Sequence, residues 1–292
     1  MDRDIWVVLA CAVRLVCRRL GRPRRRFEFS DRLIILMWLW AVMHDRPLSW
    51  ACRRENYSTL FRPRRLPSIS QFCKRLQTER FTRARGLLHG VLSARGRSDL
   101  LSLIDGKALV INDYSTDPDA HNGIASGKFH FGYKIHARAS WSGFLVEYRV
   151  LALNEGEQTT ARELLEHLPV GSMVLGDANY DSRYLYAAVR ERGGRLLTRL
   201  KGHGTQAKNL QKMGPARREA LEAWRTDPFS CEWAMHQRDA IERHFAHLTS
   251  FGGGLGPLPA WVRRLRRVRL WVDAKIAVYH ARLLVRQLRK AA

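Results

Sequence analysis

Three carboxylates at separated positions are the residues of this sequence best suited to chemistry. Asp177 follows an apolar run at 173–175, and turn-forming residues come directly after it, which is how a buried strand delivers an acid to its end. Asp105 lies in an earlier apolar run, and Glu242 lies in a later helical pattern. Converging acids repel one another, and hard divalent cations relieve that repulsion. Two such ions can activate a water or a 3′-hydroxyl for attack on a phosphodiester.

Simpler roles stay open for these acids. Asp177 could serve only to turn the chain or to cap the next helix. Rival carboxylates lie in the segment DYSTDPDA, at Asp113, Asp117 and Asp119. Zinc binding is less favoured than packing or phosphate contact for the nearby histidines His121, His130 and His136. Spacing alone therefore does not select one set of ligands.

The elements around the acids predict an α/β fold. We expect five strands. They lie at 100–111, 131–141 and 144–153, in a run that ends at Asp177, and at 195–200. The second and third form a hairpin. Two helices are expected between the later strands, over 157–168 and over 182–192 with Ser182 as its cap. This order of strands and helices predicts a mixed five-stranded sheet flanked by helices. It is the order found in a ribonuclease-H-like fold. In such a fold Asp105, Asp177 and Glu242 would converge on one face of the sheet.

The segments after this sheet predict a loop and two helices. A basic, glycine-rich stretch at 201–218 predicts a loop that reaches towards nucleic acid. The pattern at 238–248 predicts an amphipathic helix with Glu242 beside its apolar stripe, which consists of Ile241, Phe245 and Leu248. A glycine-rich hinge at 252–257 precedes a last helix over about 268–288.

The first 97 residues predict short helices, over 5–20, 30–43, 49–56 and 68–81. Ser68 and Gln71 stand at the spacing of a capping box. The basic side chains of Lys74, Arg75 and Arg80 are expected to face solvent. Short helices that end in a basic one are typical of a helix-turn-helix DNA-binding region. An ordinary helical bundle with a solvated basic face is the alternative.

The distribution of charge indicates a polyanionic partner. The chain has 292 residues and a net charge of +24. Residues 1–99 carry +14, residues 100–259 carry +1 and residues 260–292 carry +9. A nearly neutral centre between two basic ends fits a catalytic core flanked by segments that grip phosphates. The 9 Trp, 8 Tyr and 11 Phe residues argue for a packed fold and against a solvated tail.

Cysteine usage and hydropathy limit the compartment. The five cysteines show no CxxC spacing, which favours a reducing compartment and argues against a zinc knuckle. The apolar runs at 5–13 and 33–43 are well short of the roughly 20 residues that span a bilayer. No small-residue cleavage site follows the first run. We expect a cytoplasmic, nucleoid-associated protein without a membrane partner.

Four segments carry a family resemblance: LIDGKAL around Asp105, GYKIHA at 132–137, GDANYDS at 176–182 and RDAIERHFAHL around Glu242. In this order, across roughly residues 60–250, they resemble the DDE transposases of bacterial insertion sequences. The resemblance implies that Asp105, Asp177 and Glu242 bind two Mg²⁺ ions, for which Mn²⁺ can substitute. Arg238 matches the arginine that contacts transposon-end DNA, and Tyr180 matches the aromatic residue after the second acid.

The resemblance also implies an activity and its partners. The enzyme would hydrolyse the ends of an insertion sequence, and the released 3′-hydroxyl would then attack target DNA. The implied partners are double-stranded DNA at the element ends and the target, together with a second copy of the chain in a synaptic complex. The domains would be a helical DNA-binding region at 1–97, a catalytic domain at 98–250 and a basic C-terminal helix with its hinge at 251–292.

Candidate DNA contacts follow from the basic segments and the matched motifs. Besides Arg238 they are Lys134, Arg24, Arg25, Arg26, Arg64, Arg65, Lys74, Arg75, Arg263, Arg264, Arg266 and Arg267. The sequence departs from the family where Met235 replaces a tyrosine, Thr249 replaces a lysine and Asn179 replaces a glycine or alanine. Two alternatives to a transposase are therefore kept: a non-catalytic DNA-binding protein derived from one, and a metal-dependent nuclease without strand transfer.

Overall fold

The computed structural model describes residues 2–23, 27–111, 115–125, 127–201 and 213–291. The chain divides into two compact units, one made of 1–94 together with 248–292 and the other of 95–247. The predicted boundaries at residues 97 and 250 stay predictions. No helix in the described ranges is both long and apolar enough to cross a bilayer.

The first unit is a helical bundle. Its helices are α1 (Arg3–Leu20), α2 (Asp31–Met43), α3 (Ile69–Arg75), α4 (Glu79–Leu92) and a long C-terminal helix, Leu265–Ala291. Helix α2 is apolar on nearly all sides, and accordingly Trp38 and Trp40 are 1% exposed. Their indole N–H groups donate to the carbonyls of Leu270 and Asn56 at 3.2 and 2.9 Å. Because these indoles are satisfied within the unit, both tryptophans are core residues.

The caps of these helices follow the sequence, but their lengths differ from those expected. Ser30 accepts from the N–H of Leu33, and Ser68 with Gln71 forms the predicted capping box. The expected helix over 49–56 is instead two short 3₁₀ segments, Leu48–Cys52 and Arg54–Asn56. The expected helix over 68–81 ends at Arg75, and Thr78 caps a new helix, α4. The sequence analysis did not identify α4 as a separate element.

The expectation that Arg75 and Arg80 face solvent is wrong. The Arg75 guanidinium donates to Asp31 at 2.6 Å and lies 3.6 Å from the centroid of the Phe27 ring. The Arg80 Nε donates to the other Asp31 oxygen at 2.8 Å. Asp31 opens α2, where a carboxylate is favoured by the helix dipole, and it gathers both arginines. The side chains of Arg75 and Arg80 are 13% and 20% exposed.

The second unit is built on a mixed six-stranded sheet. Its strands are β1 (Leu101–Val110), β2 (His121–Ala125), β3 (Lys128–Ser140), β4 (Leu145–Ala152), β5 (Met173–Gly176) and β6 (Arg195–Thr198). The order is β2-β3-β1-β5-β6, and β4 also pairs with β3. The predicted mixed sheet flanked by helices is confirmed, and β2 is a strand that the sequence analysis did not identify. The predicted hairpin is β3 with β4, which are antiparallel.

Helices flank the sheet. Helix α5 (Glu157–Leu164) and helix α6 (Arg183–Glu191) pack over Ile104, Val174 and Leu196, in one cluster of buried residues. Helices α7 (Pro215–Thr226), α8 (Pro228–Arg238) and α9 (Ala240–Thr249) follow β6. Within α9 the predicted core positions Ile241, Phe245 and Leu248 are all buried.

Three local expectations in this part of the chain need correction. The expected loop over 201–218 is helical from Pro215 onwards, because proline is favoured in the first turn of a helix; residues 202–212 lie outside the described residues. Ser182 stands at the start of α6 but makes no capping hydrogen bond through its side chain. The expected helix over 238–248 is interrupted, since α8 ends at Arg238 and α9 begins at Ala240.

Candidate active site

The parallel pairing of β1 with β5 sets the position of two aspartates. Leu101–Leu103 pairs with Met173–Leu175 in register, so that Leu103 lies beside Leu175. Asp105 lies two residues further along β1, and Asp177 directly follows the last residue of β5 with an extended backbone. Because side chains alternate, both lie on the same side as these leucines. Neighbouring strands are about 4.8 Å apart. The sheet therefore holds the two carboxylates side by side at the carboxyl end of β5.

Asp105 is a largely buried carboxylate with few partners. Its side chain is 20% exposed, and its Oδ1 accepts from the N–H of Gly106 at 2.7 Å. The Arg238 guanidinium lies 3.7 Å from its Oδ2. Burial raises the pKa of Asp105 to about 6, and the charges of Asp177 and Glu157 add to this, while Gly106 and Arg238 oppose it. The raised pKa expresses how unfavourable an uncompensated charge is at this position.

Asp177 combines a local structural role with its place beside Asp105. Its Oδ1 accepts from the Asn179 N–H at 2.9 Å and its Oδ2 accepts from the Asn179 side-chain amide at 3.2 Å. It thus caps the 3₁₀ turn Ala178–Tyr180, as the simpler interpretation of the sequence proposed. Burial is the main cause of its raised pKa, and Glu157 adds to the shift. Asn179, one of the departures from the family pattern, is therefore a direct partner of the second acid.

The third candidate acid, Glu242, is held by an arginine. Its carboxylate accepts from Arg238 Nη2 at 3.2 Å, and its side chain is 65% exposed. Because the same guanidinium reaches both Asp105 and Glu242, Arg238 stands between the first and third candidate acids. Glu242 is not among the charges that shift the pKa of Asp105 or Asp177.

The donor chemistry of the two aspartates fits a hard divalent cation. Both offer carboxylate oxygens, which Mg²⁺ and Mn²⁺ prefer. Burial is the main cause of the raised pKa of each, and repulsion from Asp177 adds to the shift at Asp105. A cation between them would relieve that repulsion. Among the described residues, however, no group of three Asp, Glu, His or Cys side chains stands close enough to hold a metal ion. The structure thus brings two of the three predicted ligands together and leaves Glu242 with Arg238.

A fourth acid, Glu157, borders the site, and the sequence analysis did not identify it. Glu157 begins α5, and its Oε1 accepts from Lys134 Nζ at 2.5 Å. The buried Tyr180 lies beside it: burial, then Glu157, Asp105 and Asp177, raise the pKa of the Tyr180 hydroxyl. The only sequence signal was an acid at the first turn of a helix, which is more often explained by the helix dipole.

The rival acids and the histidines have other positions. Asp117 is 6% exposed and accepts from the Tyr133 hydroxyl at 2.7 Å, so it fastens the 115–120 segment to β3. Asp113 lies outside the described residues. His136 is buried on β3, and neither ring nitrogen has a hydrogen-bond partner within the described ranges. Burial, and then Lys134, lower the pKa of His136 to about 4, so this histidine is neutral.

The candidate DNA contacts differ in the exposure of their side chains and in their ion pairs. Lys134 is 13% exposed and paired with Glu157, and Arg75 is bound to Asp31. Arg65 is 77% exposed although paired with Glu28, and Arg263 donates to backbone carbonyls at 2.9 and 3.0 Å. The remaining described candidates are exposed, namely Arg64, Lys74, Arg264, Arg266 and Arg267. Arg24, Arg25 and Arg26 lie outside the described residues.

The candidate site is thus a pair of acidic residues at the end of a mixed sheet, with an arginine against it. The sequence model of the Transposase DDE domain matches residues 96–255, more than half of the chain and all of the elements described above from β1 to α9. The chain belongs to the Transposase DDE domain family. No curated protein sequence matches it. Among solved structures it is similar to the piggyBac transposase in a synaptic complex with hairpin DNA, at 9% identity and a TM-score of 0.44, over 97% of this chain and 72% of that one.

Proposed function

We propose that this protein is a DNA transposase that cuts the ends of an insertion sequence in a metal-dependent reaction and joins them to target DNA. The observation that supports the proposal is the parallel pairing of β1 with β5 up to Leu103 and Leu175, beyond which Asp105 and Asp177 follow at the same end of the sheet, within the family-matched segment. Two half-buried carboxylates with raised pKa values are costly to keep unless they serve binding or catalysis.

In this reaction the side chains of the protein would hold the metal ions and the DNA in position and offset their charges. Asp105 and Asp177 would hold two divalent ions, Mg²⁺ or Mn²⁺, with Glu242 completing the set after it leaves Arg238. Bound ions activate the attacking water or 3′-hydroxyl and stabilise the leaving oxygen. Arg238, freed from the acids, would then contact a phosphate of the element end, since guanidinium groups bind phosphate in a bidentate manner. The Asn179 amide fixes the orientation of Asp177.

The proposed partner is double-stranded DNA, at the element ends and at the target. Support comes from the basic segments at 1–99 and 260–292, with charges of +14 and +9, since clustered basic charge gives sequence-independent phosphate binding. Exposed arginines at 264–267 and 64–65 are the proposed contacts. Two copies of the chain are proposed to synapse two ends, in the cytoplasm at the nucleoid.

A nicking and joining assay tests the proposal. A DNA duplex that carries the element's own ends is incubated with Mg²⁺ or Mn²⁺ and either the native protein or Asp177→Asn. We expect cut and joined products from the native protein, and DNA binding without either product from the variant. Glu163→Gln is the control, because Glu163 is 54% exposed and pairs with Arg149 at the surface of the same unit. Cutting without joining would instead indicate a nuclease.

One observation favours a second candidate, a DNA-binding protein derived from a transposase that has lost catalysis. Glu242 is paired with Arg238 and lies mostly in solvent, and Met235, which replaces the family's tyrosine, is 3% exposed. This candidate predicts that native protein and Asp177→Asn bind the duplex equally and that neither cuts it.

A further inference from the structure

Glu157 is an acid that the proposed chemistry does not use, although it lies against the site. Its Oε1 is 2.5 Å from Lys134 Nζ, and the two side chains are only 21% and 13% exposed. A Cβ atom added at Gly106 would lie 3.4 Å from this oxygen. The carboxylate therefore lies directly over the residue that follows Asp105, at a point where β1 carries no side chain.

The end of β5 leaves room beside β1 for the start of α5 and for the turn that follows Asp177. The pairing of β1 with β5 stops at Leu103, and Tyr180 packs into the space beyond, against Gly176 and Ile104. Helix α5 is tied to the same turn, because Gln158 Nε2 donates to the Asn179 carbonyl at 2.8 Å. Glu157 is thus fixed between β1 and the turn that follows Asp177.

The charge of Glu157 acts on both aspartates. Burial is the main cause of the raised pKa of Asp105 and of Asp177, and Glu157 raises both further. It is also the largest charge effect on the Tyr180 hydroxyl.

We propose that Glu157 is a fourth acidic residue of the site, which accepts hydrogen bonds from the waters of a divalent cation held by Asp105 and Asp177. This inference rests on the proposed function. Within the described residues no three acidic, His or Cys side chains are close enough to bind an ion directly, so a role through water fits the positions. Mg²⁺ keeps several waters in protein sites, and a fixed carboxylate nearby orients them. Lys134 offsets the charge of that carboxylate before the cation binds.

Mn²⁺ binding to the full-length protein tests the role of Glu157 without measuring activity. Mn²⁺ alone is titrated into the protein, and the signal of free Mn²⁺ is followed by electron paramagnetic resonance. The site is defined as the binding that Asp177→Asn abolishes. We expect Glu157→Gln to weaken this binding about 10-fold, the lower end of the range for residues that orient metal-bound groups. Lys134→Met should strengthen it, because a competing positive charge is removed, and Glu163→Gln on the same helix should leave it unchanged.

Opposite effects of Glu157→Gln and Lys134→Met on Mn²⁺ binding distinguish a role of Glu157 at the metal site from a role in fastening α5. If Glu157→Gln and Lys134→Met weaken Mn²⁺ binding alike, the pair only fastens α5 and the inference is overturned. Unchanged affinity in a folded Glu157→Gln, checked by circular dichroism and melting temperature, overturns it as well. Glu157→Asp, which keeps the charge, should retain more affinity than Glu157→Gln. If Asp177→Asn binds Mn²⁺ as tightly as the native protein, the proposed metal site itself fails, whatever Glu157 does.

Discussion

Replacing Asp105 with asparagine should stabilise the metal-free protein at neutral pH while removing a proposed catalytic group. Burial and the neighbouring acids raise the pKa of Asp105 from 3.8 to about 6, a difference of about 2 units. Each unit corresponds to about 1.4 kcal/mol. The ionised carboxylate therefore lowers the free energy of unfolding by about 3 kcal/mol at pH 8, and Asp105→Asn, which has the shape of the protonated acid, should recover about that amount.

The pH dependence of this gain follows from the sign of the shift. Because the folded pKa lies above the unfolded one, the folded state binds more protons between pH 3.8 and about 6, and stability falls as the pH rises through this window. The gain from Asp105→Asn should therefore be near zero below about pH 4 and reach its full value above about pH 6. Denaturant unfolding in the presence of a chelator, at pH 4, 5, 6 and 8, measures it.

Two controls sharpen this experiment. Glu163→Gln removes an exposed carboxylate from a surface pair and should change stability by less than about 1 kcal/mol at every pH. Mg²⁺ should stabilise the native protein and leave Asp105→Asn nearly unchanged, since ligands stabilise only the state that binds them. A variant that is no more stable than the native protein at pH 8, or equally more stable at pH 4 and pH 8, would refute the reasoning.

Four further substitutions, in three tests, probe other parts of the structure by denaturant unfolding. Arg217→Met should cost about 3–5 kcal/mol, because it strips a guanidinium at 2.6 and 2.7 Å from the Asp181 carboxylate, which is 1% exposed; a cost below about 1 kcal/mol would contradict this. Lys275 is fully buried, bound to Asp45 at 2.6 Å, and donates to the Gly253 carbonyl at 3.0 Å. Asp45→Asn leaves this buried ammonium without a counter-charge and should destabilise the protein more than Lys275→Met does; the reverse order would contradict this. Gly106→Ala should cost about 1 kcal/mol, since its Cβ would stand 3.1 and 3.4 Å from the ion pair that lies over it, and no measurable effect would mean that the pair moves freely.

The sheet could be predicted because its strands carry strong local signals. The apolar runs before Asp105 and Asp177 and the turn between β3 and β4 gave the mixed sheet, and the register then sets these acids side by side. The GYKIHA segment also has a physical reason: a Cβ at Gly132 would lie 2.5 Å from the Leu109 carbonyl oxygen, so only glycine lets β3 approach β1 there.

The features that could not be predicted from the sequence depend on contacts between residues distant in sequence. Arg75 and Arg80 resembled a solvated basic face, but Asp31, more than 40 residues earlier, binds both. Lys134 stays a predicted DNA contact, but its ion pair with Glu157, on another element, was not visible in the sequence. No periodicity within a segment reports such pairs, because each partner lies on a different element.

Asp177 is proposed to be a ligand of the metal ion used in DNA cleavage, and a change of ligand at this position tests that role. In Asp177→Cys a thiolate replaces the carboxylate, and Mg²⁺ requires oxygen ligands, whereas softer ions accept sulfur. Cleavage of a duplex carrying the element ends is compared in Mg²⁺ and in Mn²⁺, with DNA binding measured in parallel. We predict that the variant binds DNA, does not cut it in Mg²⁺ and regains cutting in Mn²⁺. Cutting in Mg²⁺ at the rate of the native protein would contradict the claim.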